Sequence, residues 1–219
     1  MKKLYVLNGL PESGKTTFGK LVGEILEEKG IPFLHTSSIN VVKDILKPSH
    51  LWSPELQQDP ATKVTLLQLK TQVVGNLDWD GVTKDEFWRK AMSELKLLIN
   101  RHNQFFINEA VLKQFKNLSD SYNKFVGFVD IRESESIQQF AQHAEVFGYR
   151  VEKILVKSEG GANYNNFSDR DILNTKYDII IDNSRRVFRD EASLHFLRVR
   201  AMSFVENEVL DGRPKERIY

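Results

Sequence analysis

The sequence contains no cysteine. Disulfide bonds, thiolate metal sites and cysteine nucleophiles are therefore excluded from any account of its function. The histidines are few and scattered, at His35, His50, His102, His143 and His195. Because none shows the spacing of paired metal ligands, we expect each to have a structural or surface role.

An excess of charge of one sign is also missing, since 31 Lys and Arg residues face 30 Asp and Glu residues. This balance gives no electrostatic reason to expect nucleic acid or a membrane surface as a partner. No apolar run approaches the roughly 20 residues of a membrane span. The run that follows Met1 stops at Asn8 and is too short for a signal peptide. We expect a cytoplasmic protein with small-molecule partners, and we allow for a homodimer.

Short apolar runs alternate with segments whose apolar residues recur at helical spacing. The runs that predict strands are Leu4–Leu7, Ile31–His35, Lys124–Ile131, Val151–Val156 and Tyr177–Ile181. This alternation predicts an α/β fold, with a parallel sheet covered by helices on both faces. We treat the chain as one domain, with a helical insertion at about residues 39–118.

Helical spacing also predicts which side chains are buried. The predicted helix Lys15–Lys29 has one apolar stripe and ends at Gly30, and its stripe is Phe18, Leu21, Val22, Ile25 and Leu26. Three later helices are expected to bury Phe87, Ala91, Leu95 and Leu98, then Ile137, Phe140, Ala144 and Phe147, and finally Leu194, Leu197, Ala201 and Phe204. The segment Phe105–Phe115 is compatible with a strand or a helix.

The segment from Gly9 to Thr16 reads GLPESGKT and matches the pattern G-x-x-x-x-G-K-[ST] in full. Its glycines permit backbone angles that point successive amides at phosphate groups. Lys15 is expected to reach the terminal phosphates of ATP, and the Thr16 hydroxyl is expected to coordinate Mg²⁺. We assign ATP binding to this P-loop through Gly9, Glu12, Ser13, Gly14, Lys15, Thr16 and Thr17.

A second element of the phosphate site is the carboxylate of Asp130, at the end of an apolar run. This run resembles a Walker B strand, whose acid supports the Mg²⁺ shell. Many buried strands end in Asp, so a purely structural carboxylate is the alternative. The other candidate, Phe105–Ile107 before Asn108 and Glu109, is less favoured.

The acceptor side offers candidate cations, which phosphoryl transfer requires. On the predicted helix Thr83–Asn100, a polar face opposite the buried stripe carries Asp85, Arg89, Ser93 and Lys96. Arg132 follows a predicted strand, at the sheet edge where α/β proteins bind ligands. The stretch from Lys157 to about residue 172 has the composition of a mobile lid. A solvated helix face and an ordinary surface loop are the alternatives.

Together these segments resemble the P-loop nucleoside and deoxynucleoside monophosphate kinases, particularly a branch common in phages and prophages of Gram-positive bacteria. The matching pieces, in order, are Gly9–Thr17, Thr36–Lys43, Trp79–Asp85 with Arg89 and Ser93–Lys96, Arg132 within Ile131–Ile137, and Tyr177–Asn183. The resemblance implies a P-loop NTPase fold with five parallel strands. It implies an acceptor site of Ser37, Ser38, Lys43, Lys84, Asp85, Arg89 and Arg132. Among the candidate cations, we expect catalytic roles for Lys15, Arg89, Arg132 and Lys157. The resemblance also implies that Asn183 lies near the adenine of the donor.

We therefore expect transfer of the terminal phosphoryl group of ATP, with Mg²⁺, to a nucleoside monophosphate. A deoxynucleotide is favoured as acceptor, because phage enzymes of this kind supply DNA synthesis. One alternative is a kinase of another small phosphorylated metabolite. Another is a P-loop switch that binds nucleotide without acting on an acceptor.

Overall fold

A computed structural model describes residues 2–46, 95–158, 172, 175–184 and 191–211 of the chain. The chain divides into two compact units. One unit combines residues 1–37 with residues 111–219, and the other covers residues 38–110. None of the helices within the described ranges is long and apolar enough to cross a membrane.

The first unit is built on a sheet of five parallel strands, as the sequence predicts. The strands are β1 (Lys2–Asn8), β2 (Phe33–Ser37), β3 (Val126–Asp130), β4 (Tyr149–Lys157) and β5 (Ile179–Asp182). Their order across the sheet is β2-β3-β1-β4-β5. Strand β1 is central, because it pairs with β3 on one side and with β4 on the other, and its residues from Leu4 to Asn8 are buried.

Helices flank this sheet, which confirms the α/β class. They are α1 (Lys15–Glu28), α3 (Phe106–Ser121), α4 (Ser134–Val146) and α5 (Glu191–Phe204). Helix α3 belongs to this unit from Val111 onward. Helix α5 continues as a π-helical segment, Val205–Leu210. The predicted apolar stripe of α1 is buried in full, and it packs with α5 against side chains such as Tyr5 and Phe128. From the opposite face, Phe115 of α3 approaches Gly127, where an added Cβ would lie 2.6 Å from its ring.

The second unit is described in part. It holds α2 (Ser38–Leu46), a helical stretch at 95–102 and the start of α3. The ambiguous segment is therefore a helix, and the alternative strand at Phe105–Ile107 is wrong. The predicted face of the stretch at 95–102 is also wrong, since Lys96 is 6% exposed and Leu98 is 50% exposed. Leucine and isoleucine residues precede and follow Lys96 in the sequence. Because apolar residues thus occur on every side of this stretch of helix, their spacing did not identify the buried face.

Two other side chains predicted to be buried are exposed, Phe147 at 45% and Leu194 at 50%. Helix α4 ends at Val146, so helical spacing no longer determines where Phe147 points. In α5, Leu197 already packs beside the loop that follows β1, 3.5 Å from a Cβ added at Gly14. The preceding turn, which carries Leu194, therefore lies beyond the core.

The strand order marks the carboxyl end of β1 as a special position. After β1 the chain passes through α1 to β2, on one side of the sheet centre. After β3 it passes through α4 to β4, on the other side of β1. Where neighbouring strands of an open α/β sheet connect in opposite directions, a crevice forms outside their carboxyl ends and commonly binds ligands. The loop between β1 and α1 lies at this position.

Candidate functional site

The loop of residues 9–16, named here the glycine loop, adopts a conformation that depends on its glycines. Gly9 has a φ of +149° and Gly14 a φ of +93°, while Glu12 has a φ of +62°. Such positive angles are strained for residues with a side chain. Gly14 forms the N-cap of α1 in the left-handed conformation. The motif glycines therefore occupy the positions where the backbone requires them.

Close neighbours also exclude side chains from the two glycines. A Cβ added to Gly9 would lie 2.4 Å from the carbonyl oxygen of Val156 in β4. A Cβ added to Gly14 would lie 2.7 Å from Nδ2 of Asn183. That amide donates a hydrogen bond of 2.9 Å to the carbonyl of Ser13. The structure thus places Asn183 directly against the loop backbone, while its role beside an adenine stays a prediction.

The charge of Lys15 lies within the glycine loop. Its Nζ donates hydrogen bonds to the carbonyls of Gly9, at 2.5 Å, and Leu10, at 2.6 Å. Thr16 and Thr17 follow on the exposed first turn of α1. A helix N-terminus favours anions through its backbone amides and its dipole. The glycine loop and the first turn of α1 therefore bring together a lysine charge, two threonine hydroxyls and a helix N-terminus.

One buried polar atom of the loop lacks an internal partner. Ser13 is fully buried, and among the described residues its Oγ has no hydrogen-bond partner. It lies 2.7 Å from the position that a Cβ of Gly9 would take. Buried hydroxyls are nearly always hydrogen-bonded, so an unsatisfied one calls for an explanation such as a missing ligand or water. The loop interior therefore has the polar character expected of an anion site.

Asp130 lies at the carboxyl end of β3, beside β1, and the sequence did not indicate its partner. Asp130 Oδ1 is 2.9 Å from Nε2 of His35 in β2. The strand register places Ser37 opposite Asp130, and the Ser37 hydroxyl donates a 3.5 Å hydrogen bond to the Asp130 carbonyl. Asp130 and Phe128 share the sheet face that packs on α1, because alternate residues of a strand point the same way. The carboxylate thus lies on the sheet face that α1 covers.

Arg132 is tied to the end of β1 through its backbone. The side-chain amide of Asn8 donates to the Arg132 carbonyl, at 3.1 Å, and to the Tyr177 hydroxyl, at 2.9 Å. The Tyr177 hydroxyl in turn donates to the carbonyl of Ile172. Arg132 therefore lies at the expected edge of the sheet, half-buried. Sequence reasoning assigned no role to Asn8, which precedes the P-loop motif, or to Tyr177, which only begins the last segment of the resemblance.

The ends of β4 and β5 complete the edge. Lys157 is exposed, and its carbonyl accepts a hydrogen bond of 2.7 Å from the backbone amide of Asn183. The Ser184 hydroxyl, which hydrogen-bonds to Asp182, holds the pKa of that carboxyl below its usual value. The Ser184 backbone amide and the charges of Arg200 and Lys157 also lower this pKa, against the opposing effect of burial.

Only some residues of the predicted acceptor site are among those that the structure describes. Ser38 is buried at the start of α2 and Lys43 is half-buried on the same helix, in the second unit. Lys84, Asp85 and Arg89 lie outside the described residues, as does most of the predicted lid. Their roles stay predictions.

Comparisons with known proteins identify no family for this chain. No protein-family model matches the chain, and no curated protein matches it. Among solved structures, the chain is similar to a sugar kinase from Janibacter sp. HTCC2649, in its unliganded crystal structure, with a TM-score of 0.41 and 12% identity. The match covers 94% of this chain and 95% of that one.

Proposed function

We propose that this protein is an ATP-dependent phosphotransferase with a P-loop NTPase fold, and that its acceptor is a nucleoside monophosphate, preferably a deoxynucleotide. The observation that carries the proposal is the glycine loop. It combines a full match to the P-loop motif with left-handed Gly14 and with Lys15 inside the loop. The loop also stands at the switch point of the sheet, where ligands are expected.

The residues present suit both ATP and Mg²⁺. Three features of the loop fit a polyphosphate. They are a buried hydroxyl without a partner among the described residues, two glycines that admit no side chain, and a lysine ammonium. No three His, Asp or Glu side chains cluster as a preformed metal site within the described residues. Mg²⁺ does not need such a cluster, because it commonly binds one or two protein oxygens together with substrate phosphates and water. Thr16 Oγ1 and the Asp130 carboxylate are the oxygens proposed for it.

In this mechanism the chain positions charges and does no covalent chemistry. Lys15 neutralises charge on the oxygens of the β- and γ-phosphates as the bond between them breaks. The amides of the loop and of the first turn of α1 hold the polyphosphate in place. Mg²⁺, when bound, supplies further charge neutralisation. An oxygen of the acceptor phosphate bonds to the γ-phosphorus, ADP leaves, and Arg132 is proposed to hold the acceptor phosphate.

The choice of acceptor rests on the sequence resemblance and on Arg132 rather than on a described pocket. A panel of common ribo- and deoxynucleoside monophosphates, incubated with ATP and Mg²⁺, tests it by ADP release. Release that depends on one or a few of these acceptors, and that Lys15→Ala abolishes, supports the proposal. Release with another phosphorylated metabolite would indicate a different kinase. Tight ATP binding with no acceptor-dependent release would indicate a nucleotide switch.

A further inference from the structure

The His35 imidazole is held in one orientation by neighbours on three sides. Its ring meets Phe128 edge-on at a centroid distance of 5.9 Å, and Phe33 at 6.3 Å. From α1, a Cβ added to Gly19 would lie only 2.4 Å from His35 Nδ1. Gly19 therefore leaves the space that the imidazole fills, and packing fixes the direction of the ring.

The free edge of this ring faces a carboxylate. Nε2 of His35 is 2.9 Å from Oδ1 of Asp130. An ionised carboxylate can only accept hydrogen bonds, so the imidazole donates this one. The two side chains are 18% and 28% exposed, which partly shields the bond from water. A rigidly packed donor thus restrains the carboxylate at the end of β3.

We propose that His35 is a positioning residue that orients the Asp130 carboxylate for Mg²⁺ bound with the nucleotide phosphates. This inference rests on the proposed function. Hydrogen bonds from outer residues orient metal-binding side chains, and their loss typically lowers metal affinity about 10–100-fold. His35 acts through Asp130 in this role and is not itself a ligand.

His35→Phe tests the role, because phenylalanine keeps a packed ring and removes the donor. The affinity of the full chain for ATP is measured by calorimetry over a series of Mg²⁺ concentrations and in EDTA. The Mg²⁺ concentration that gives half of the maximal gain in affinity should rise about 10–100-fold. ATP affinity in EDTA should not change. An unaltered Mg²⁺ dependence would overturn the proposal.

Two glycines of α1 provide a matched pair that leaves both His35 and Asp130 in the sequence. Gly19→Ala places a methyl group against the imidazole, whereas Gly23→Ala places one 2.8 Å from the ring of Phe33. Gly19→Ala acts on the imidazole directly, whereas Gly23→Ala reaches it only through Phe33. Gly19→Ala should therefore raise the Mg²⁺ requirement clearly more than Gly23→Ala does. Equal effects would attribute the change to packing and would contradict the role of His35.

Asp130→Asn separates this inference from the function it rests on. If wild-type protein binds no ATP with or without Mg²⁺, the proposed function itself fails. If Mg²⁺ promotes ATP binding, Asp130→Asn should weaken that effect, and adding His35→Phe should weaken it no further. A second loss of similar size in the double variant would show that His35 does not act through Asp130.

Discussion

Replacing Gly14 by alanine tests how the glycine loop keeps its shape. Gly14 has a φ of +93°, a region where a side chain costs about 1–2 kcal/mol. The new Cβ would lie 2.7 Å from Nδ2 of Asn183 and would push that amide away from the Ser13 carbonyl. A buried carbonyl without its hydrogen bond costs about 1–3 kcal/mol. Gly14→Ala should therefore lower the free energy of unfolding by about 2–5 kcal/mol.

Two other variants separate the two contributions. Gly148 has a φ of +79°, and a Cβ added there would meet nothing within 4 Å. Gly148→Ala should therefore cost only the backbone strain of about 1–2 kcal/mol. Asn183→Ala removes the amide and should cost about 1–3 kcal/mol. In the Asn183→Ala background the amide can no longer be displaced, so Gly14→Ala should add only about 1–2 kcal/mol.

Urea denaturation followed by far-UV circular dichroism gives the free energy of unfolding for each variant. The sum of the losses in the two single variants should exceed the loss in the double variant, since both single substitutions remove the same hydrogen bond. If Gly14→Ala costs the same in both backgrounds to within about 0.5 kcal/mol, the sites are independent and the reasoning is refuted. A cost no larger than that of Gly148→Ala would refute it as well.

Lys15→Ala should lower phosphotransfer about a hundredfold or more, because a lost charge at the reacting phosphates typically costs several kcal/mol; Lys20→Ala, at an exposed position of the same helix, should leave the steady-state rate unchanged. Arg132→Lys should raise the acceptor KM or lower kcat with ATP binding little changed, since lysine cannot form a bidentate fork; unaltered kinetics for every acceptor would remove it from the site. Ser184→Ala should raise the lowered pKa of Asp182. The stability that this lowered pKa provides is present above the usual value of about 3.9 and is lost as the pH falls through the folded value. The urea midpoints of the wild-type protein and of Ser184→Ala should thus differ at pH 7 and converge in acid. An equal difference at both pH values would contradict the assignment of the lowered pKa to Ser184.

Local patterns in the sequence predicted the features that depend on neighbouring residues. The motif identified the loop, the apolar stripe identified the buried face of α1, and alternating elements identified the parallel sheet. These predictions succeed because a few consecutive residues determine a turn, a helix face or a buried strand.

The features that the sequence did not predict depend on distant residues. The bond between His35 and Asp130 follows from the register of β2 against β3, which pairs residues from separate parts of the chain. Asn183 reaches Ser13 only because β5 and the loop end at the same edge. The exposure of Phe147 reflects where a helix ends, and terminal residues are the least certain part of a predicted helix.

The pairing of β1 also has a consequence for synthesis of the chain. Leu4 pairs with Gly127 and with Val151, and Asn183 holds the loop at Ser13. At a translation rate of about 5–20 residues per second, β1 leaves the ribosome roughly ten seconds before its first partner strand. Both edges of β1 stay without a partner strand during that interval, which makes the nascent chain a candidate for chaperone binding. A ribosome halted before Asn183 would carry the whole loop sequence but not the amide that holds its backbone.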